Sequence, residues 1–125
     1  MLISSEYIAI SEPLSTLTPI ALNLKNLDYD YVPIHLVKNG GEQLADPYLK
    51  INPMGQVPAL EVTDDSGEKA VLTQSVAIME YLEELYPEVN LLPKDVQARA
   101  KVGCQSQVFV QIGWHAYFRC ERSWS

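Results

Sequence analysis

The sequence predicts an α/β fold with element order β-α-β-α-β-β-α, followed by the start of an all-α segment. Three observations predict it. Tyr29 to Leu36, rich in aromatic and β-branched residues, follows a stretch with helical apolar spacing. The turn-forming run Asp64-Asp65-Ser66-Gly67 separates two short apolar segments, as in a hairpin. From Ser75 onward, Val76, Ile78, Met79, Leu82 and Leu85 share one helical face until Pro87.

The bulk properties narrow the class. A chain of 125 residues with 47% apolar content can build one core and is globular in composition. Sixteen acidic residues against 9 basic ones leave a net charge of −7, which disfavours a partner held by phosphate neutralisation, so no nucleic-acid partner is expected. No run approaches the roughly 18 apolar residues of a membrane span. The N-terminus also lacks the basic start and apolar core of a signal peptide. The expectation is a soluble cytoplasmic protein without a membrane partner. Cys104 and Cys120 are too far apart for a CxxC pair and read as reduced thiols, and with His115 they are too irregularly spaced for zinc, so no metal is expected.

Met1 to Ile10 reads as a first strand, broken by Ser11-Glu12-Pro13. Leu14, Leu17, Ala21, Leu24 and Leu27 recur at helical spacing, with Pro19 delaying the regular helix to about its own position. The strand Tyr29 to Leu36 is bounded by Asp28 and by Asn39-Gly40-Gly41, and strand, helix, strand suggests a parallel pair. Glu42 to Lys50 can form a helix, interrupted or shifted by Pro47, and Asn52-Pro53-Met54-Gly55 ends it. Val57 to Val62 and Lys69 to Leu72 form the hairpin strands, and Ser75 opens the last helix. Asn90 to Asp95 reads as a linker and Val96 as a new helical start. The expected division is a domain at 1–87, a linker at 88–95 and the truncated start of a helical domain at 96–125, with an atypical tail.

Read alone, Val57-Pro58 is either a cis turn or a trans proline opening an edge strand, because only proline makes the cis form accessible, at about 0.5–1 kcal/mol. Ser75 reads as an N-cap. Free N–H groups and the positive end of the helix dipole beside Gln74-Ser75 also favour a carboxylate. Gln43 alone reads as a solvated helix residue.

Asn52-Pro53-Met54-Gly55-Gln56-Val57-Pro58-Ala59-Leu60, followed by Gln74-Ser75, resembles the NP-x-x-x-VP-x-L signature and the later Gln/acidic-Ser pair of glutathione transferases. Ile34 to Gln43, Ala77 to Glu84 and Asn90 to Pro93 resemble the zeta class, the maleylacetoacetate isomerase family. The resemblance spans roughly residues 20–101. It implies a thioredoxin-like glutathione transferase N-terminal domain with glutathione as cofactor. It further implies that the Val57 backbone, on a turn made by Pro58, pairs with the cysteinyl backbone of glutathione as an added strand would. Gln74 and Ser75 would take the γ-glutamyl carboxylate and Gln43 the glycyl end.

Two regions depart from the pattern. The family's Ser-Ser/Thr-x-x-x-Arg-Val-Arg stretch, whose serine stabilises the glutathione thiolate, is replaced: its serine positions fall on Glu12 and Pro13 and its arginines on Leu17 and Pro19. Ser11 or Ser15 remains as a candidate thiolate donor, or both are loop residues. After Ala100-Lys101-Val102, the stretch to Ser125 lacks helical periodicity. A truncated or frame-shifted reading of a longer gene would account for both ends.

The resemblance therefore implies a glutathione-dependent cis-trans isomerase acting on maleylacetoacetate or a related unsaturated diacid, homodimeric in the full-length family. Its alternatives are glutathione conjugation or dehalogenation of small α-halo acids, and a non-catalytic glutathione-binding fragment.

Overall fold

The computed structural model describes residues 2–9 and 16–105, the first group as backbone. Two compact units are present, Met1–Val89 and Asn90–Ser125. In the first, strands β1 (Leu2–Ala9), β2 (Asp30–Ile34), β3 (Ala59–Thr63) and β4 (Lys69–Thr73) form one sheet in the order β2-β1-β3-β4. The β1–β2 pair is parallel, with Ala9 opposite Ile34, as the intervening helix requires. β1–β3 and β3–β4 are antiparallel, and the second of these is the hairpin that the Asp64–Gly67 turn predicts.

Helix α1 (Leu17–Leu24) starts two residues before Pro19, earlier than the sequence suggests. Pro19 lies in the first turn, where a backbone N–H has no helical acceptor, so its missing donor costs nothing. The buried face is also different from the leucine stripe. Thr18, Ala21 and Leu22 point inward, whereas Ile20 and Leu24 are 52% and 56% exposed. Asn26, in the left-handed region at φ 54°, ends the helix, and the Leu27 N–H donates back to the Leu22 carbonyl at 3.0 Å.

The 42–50 segment is more broken than a single helix. Two 3-10 turns, Lys38–Gly40 and Glu42–Leu44, precede a four-residue helix α2 (Asp46–Leu49) that carries Pro47 in its first turn. Helix α3 (Ser75–Leu85) buries Ile78, Leu82 and Glu83. Leu85, expected on the apolar face, is 37% exposed, and Glu83 is buried because Lys25 of the α1 C-terminus meets it at 2.9 Å.

Central strand β3 is buried on both faces. Ala59 packs with Ile34 and Tyr48, with Leu36, Ile51 and Val57 at the margin of that cluster. Leu60 and Val62 alternate to the opposite face and are also buried. Helices α1 and α3 pack on one another. In the second unit, residues 96–105 are helical, and Asp95 Oδ1 accepts the Ala98 N–H at 2.8 Å as an N-cap. Among the described residues no helix is long and apolar enough to cross a membrane.

Candidate functional site

The site grows from the loop between α2 and β3. Tyr48 and Asn52 are one helical turn apart, and both donate to the carbonyl oxygen of Gln56, from the phenol Oη at 2.5 Å and the amide Nδ2 at 2.7 Å. The Asn52 Oδ1 in turn accepts the Met54 N–H at 3.2 Å, and the Gly55 N–H donates to the Asn52 carbonyl at 2.9 Å. The loop is thus tied to itself at every residue between Asn52 and Gln56 that has an N–H and turns. Its exit is the Val57–Pro58 peptide, which is cis, and Pro58 is buried. The Val57 backbone makes no hydrogen bond to another described residue.

The second component packs against that loop. His35 and Glu42 close the 35–42 segment reciprocally: the His35 N–H donates to Glu42 Oε2 at 2.7 Å, and the Glu42 N–H donates to the His35 carbonyl at 2.9 Å. Gly41 adopts φ 97°, and a β-carbon there would lie 2.8 Å from Gln43 Nε2 and push the amide aside. Gln43 is 9% exposed in its 3-10 turn, so the solvated-helix reading does not hold. Its Nε2 reaches the Leu36 carbonyl at 3.4 Å, while its Oε1 is buried without a hydrogen-bond partner. A β-carbon on Gly55 would meet Leu44 Cδ2 at 3.1 Å and the Gln43 carbonyl at 3.2 Å, so the Gln43 turn and the loop before Val57 are in close contact.

The third component is the tip of α3. Gln74, not Ser75, occupies the N-cap position, and Ser75 is the first helical residue, which corrects the N-cap reading of that serine. No side chain caps this end, so the first N–H groups of α3 are left to an external acceptor. Gln74 is held at φ 72° and ψ 118°, a region that non-glycine residues rarely enter. That backbone turns its amide toward the loop, where Nε2 donates to Gln56 Oε1 at 3.2 Å.

Gln43, Val57, Pro58, Gln74 and Ser75 therefore belong to one contiguous region, joined through Gly55 and Gln56. Ser11 and Ser15 lie outside the described residues. Sequence reasoning missed Gln56 as the bridge and Tyr48 as a donor. The i, i+4 spacing of Tyr48 and Asn52 was the available signal. Gln43, Val57, Pro58, Gln74 and Ser75 carry no charge, and the α3 N-terminus contributes the equivalent of about half a positive charge. Such a set of groups suits an extended, amide-bearing ligand with a carboxylate at one end. Among the described residues no cluster suits a metal ion.

Residues 13–90 match the family described as glutathione S-transferase, N-terminal domain. Over 83 residues the chain is 53% identical to the probable maleylacetoacetate isomerase 2 of Drosophila melanogaster, covering 66% of this chain and 34% of that protein. The holo structure of a bacterial zeta-class enzyme, maleyl pyruvate isomerase, superposes with a TM-score of 0.68 at 41% identity, over 80% of this chain and 44% of that one. A glutathione transferase homologue from Sulfitobacter with bound glutathione superposes with a TM-score of 0.64 at 29% identity, over 77% of this chain and 44% of that one. The chain spans about a third of the length of the curated relatives it matches.

Proposed function

Because the chain belongs to the glutathione S-transferase family through its N-terminal domain, we propose that this site binds reduced glutathione and serves a cis-trans isomerase of the maleylacetoacetate type. The observation that carries the reading is that three uncommitted polar groups belong to one contiguous region. These are the Val57 backbone, the uncapped α3 N-terminus at Ser75, and the buried, unpartnered Gln43 Oε1.

Each group suits one part of the tripeptide. The α3 N-terminus with Gln74 and Ser75 takes the γ-glutamyl carboxylate, since its N–H groups and dipole favour an anion. The N–H and C=O of Val57 pair with the cysteinyl backbone in the manner of an added strand. Gln43 faces the glycyl end, where a ligand N–H would satisfy its Oε1. Bound there, glutathione supplies a thiol whose reversible addition to a conjugated double bond allows rotation and returns the thiol unchanged. The residues described bind and orient. The donor to the sulfur is assigned to Ser11 or Ser15.

The acceptor is a small unsaturated acid, with halogenated acids as the other substrate class, and the names of the relatives support this choice. A cytoplasmic location and, for the full-length family, a homodimer complete the reading. Titration calorimetry of the full chain with reduced glutathione tests its first step. Saturable binding, weakened several-fold by Ser75→Ala, is the expected result. A folded chain that takes up no glutathione would refute it. Isomerisation of maleylacetoacetate without loss of thiol then separates the isomerase from a conjugating or dehalogenating enzyme.

A further inference from the structure

The Gln56 carbonyl accepts hydrogen bonds from two side chains. Tyr48 and Asn52 are each only 3% exposed, and both side chains spend a donor on that one oxygen. A carbonyl oxygen has two lone pairs, so the pair of donors saturates it. Tyr48 packs in the cluster with Ile34 and Ala59, which fixes the ring. Asn52 is oriented by the Met54 N–H on its Oδ1, which leaves Nδ2 facing Gln56.

The Gln56–Val57 peptide is trans, since Val57–Pro58 is the cis bond among the described residues. In a planar trans peptide the C=O and the following N–H point in opposite directions. Holding the Gln56 oxygen inward therefore turns the Val57 N–H outward. We propose that Tyr48 and Asn52 are positioning residues for the ligand-binding backbone: their two hydrogen bonds to the Gln56 carbonyl fix the peptide plane that presents the Val57 N–H. This rests on the reading that Val57 meets glutathione. Both side chains are buried, so their proposed effect on the ligand passes through the orientation of this peptide. The same residue also carries the Gln74 contact on its side chain, so the plane that aims Val57 is shared with the γ-glutamyl end of the site.

The test compares the full chain with Tyr48→Phe, which removes one hydroxyl and keeps the ring, and with Asn52→Asp, which keeps the acceptor for Met54 and loses the donor. Two quantities are read: the Gln56 carbonyl 13C and Val57 amide 15N shifts without ligand, and the Kd for reduced glutathione. Expected for each folded variant are an upfield Gln56 carbonyl, a displaced Val57 amide, and roughly fivefold to tenfold weaker binding, the worth of about one hydrogen bond. Should Tyr48→Phe fail to fold, Asn52→Asp gives the same readings. Unmoved shifts in a folded variant overturn the proposal whatever the affinity. Moved shifts with unchanged affinity overturn it too, because the plane would then not matter to the ligand. If the unsubstituted chain binds no glutathione, the functional reading fails, while the shifts alone still decide whether the two donors set the plane.

Discussion

The ammonium of Lys25 and the carboxylate of Glu83 meet at 2.9 Å with side-chain exposures of 1% and 5%. Lys25 Nζ also donates to the carbonyls of Tyr86 and Val89, at 2.8 and 2.7 Å, so all three of its N–H bonds are used. The C-terminus of α1 is thereby fastened to the end of α3. Lys25→Met would strand a buried carboxylate and two carbonyls, and we expect it to cost about 3–5 kcal/mol in urea unfolding. The double variant Lys25→Met/Glu83→Leu should be much less unstable than the sum of its singles. Additive losses would show that the pair does not act as a unit.

Thr18 gives the opposite sign. Its hydroxyl is fully buried and has no hydrogen-bond partner. Thr18→Val keeps the shape and removes the unsatisfied group, so a gain of about 1 kcal/mol in unfolding free energy is expected. A loss would mean that the hydroxyl finds an acceptor in solution.

Gly40 and Gly41 both have positive φ, 80° and 97°, but only at Gly41 would a β-carbon strike Gln43. The atoms struck are the far end of that side chain, which can swing away. Gly40→Ala and Gly41→Ala should therefore lower stability similarly, by about 1 kcal/mol. Glutathione affinity should fall for Gly41→Ala alone, because only there is the Gln43 amide displaced. Equal affinities in calorimetry would detach Gln43 from the site.

Gln74 couples backbone strain to the site. At φ 72° it occupies a conformation that glycine adopts without penalty. Gln74→Gly should raise the unfolding free energy by about 1 kcal/mol while weakening glutathione binding, since the amide that reaches Gln56 is gone. Improved stability with undiminished affinity would assign the strain no role in binding.

The hairpin turn sets a pH dependence. Asp64 accepts from the Ser66 hydroxyl and from the N–H groups of Ser66 and Glu68, and these bonds, the Ser66 hydroxyl foremost, hold its carboxyl below the ordinary 3.8. A depressed folded value means that the contribution to stability is complete above the unfolded value and disappears as the pH falls through the folded one. Thermal unfolding between pH 2 and about 5 should accordingly show a shallower acid loss for Asp64→Ala than for the unsubstituted chain. Parallel curves would count against the turn as a source of that loss.

Much of this fold was legible because its signals are local. The Asp64–Gly67 turn, the Asn52–Gly55 break and the helix opening at Ser75 each depend on neighbours in sequence, and each appears where expected, although Leu85 falls outside the buried face. The α1 stripe misled because Leu24 follows the helical period as well as Leu22 does. Which of them faces inward depends on α3, which a periodicity cannot see.

The sequence by itself determined the order of elements and the family, since these follow from short-range backbone chemistry and from a contiguous motif, and it left Val57-Pro58 open between a cis turn and a trans proline. Tertiary structure alone decided the burial of Lys25 against Glu83, the convergence of Tyr48 and Asn52 on one carbonyl, and the reach of Gln74 to Gln56. Lys25 meets Glu83, and Gln74 meets Gln56, only across the fold, and burial makes the first of these contacts costly to lose. Tyr48 and Asn52 lie within eight residues of Gln56, and they converge on its carbonyl through the conformation of the intervening loop. The direction in which the Val57 N–H faces is set within this loop, through two donors that hold the opposite end of its peptide.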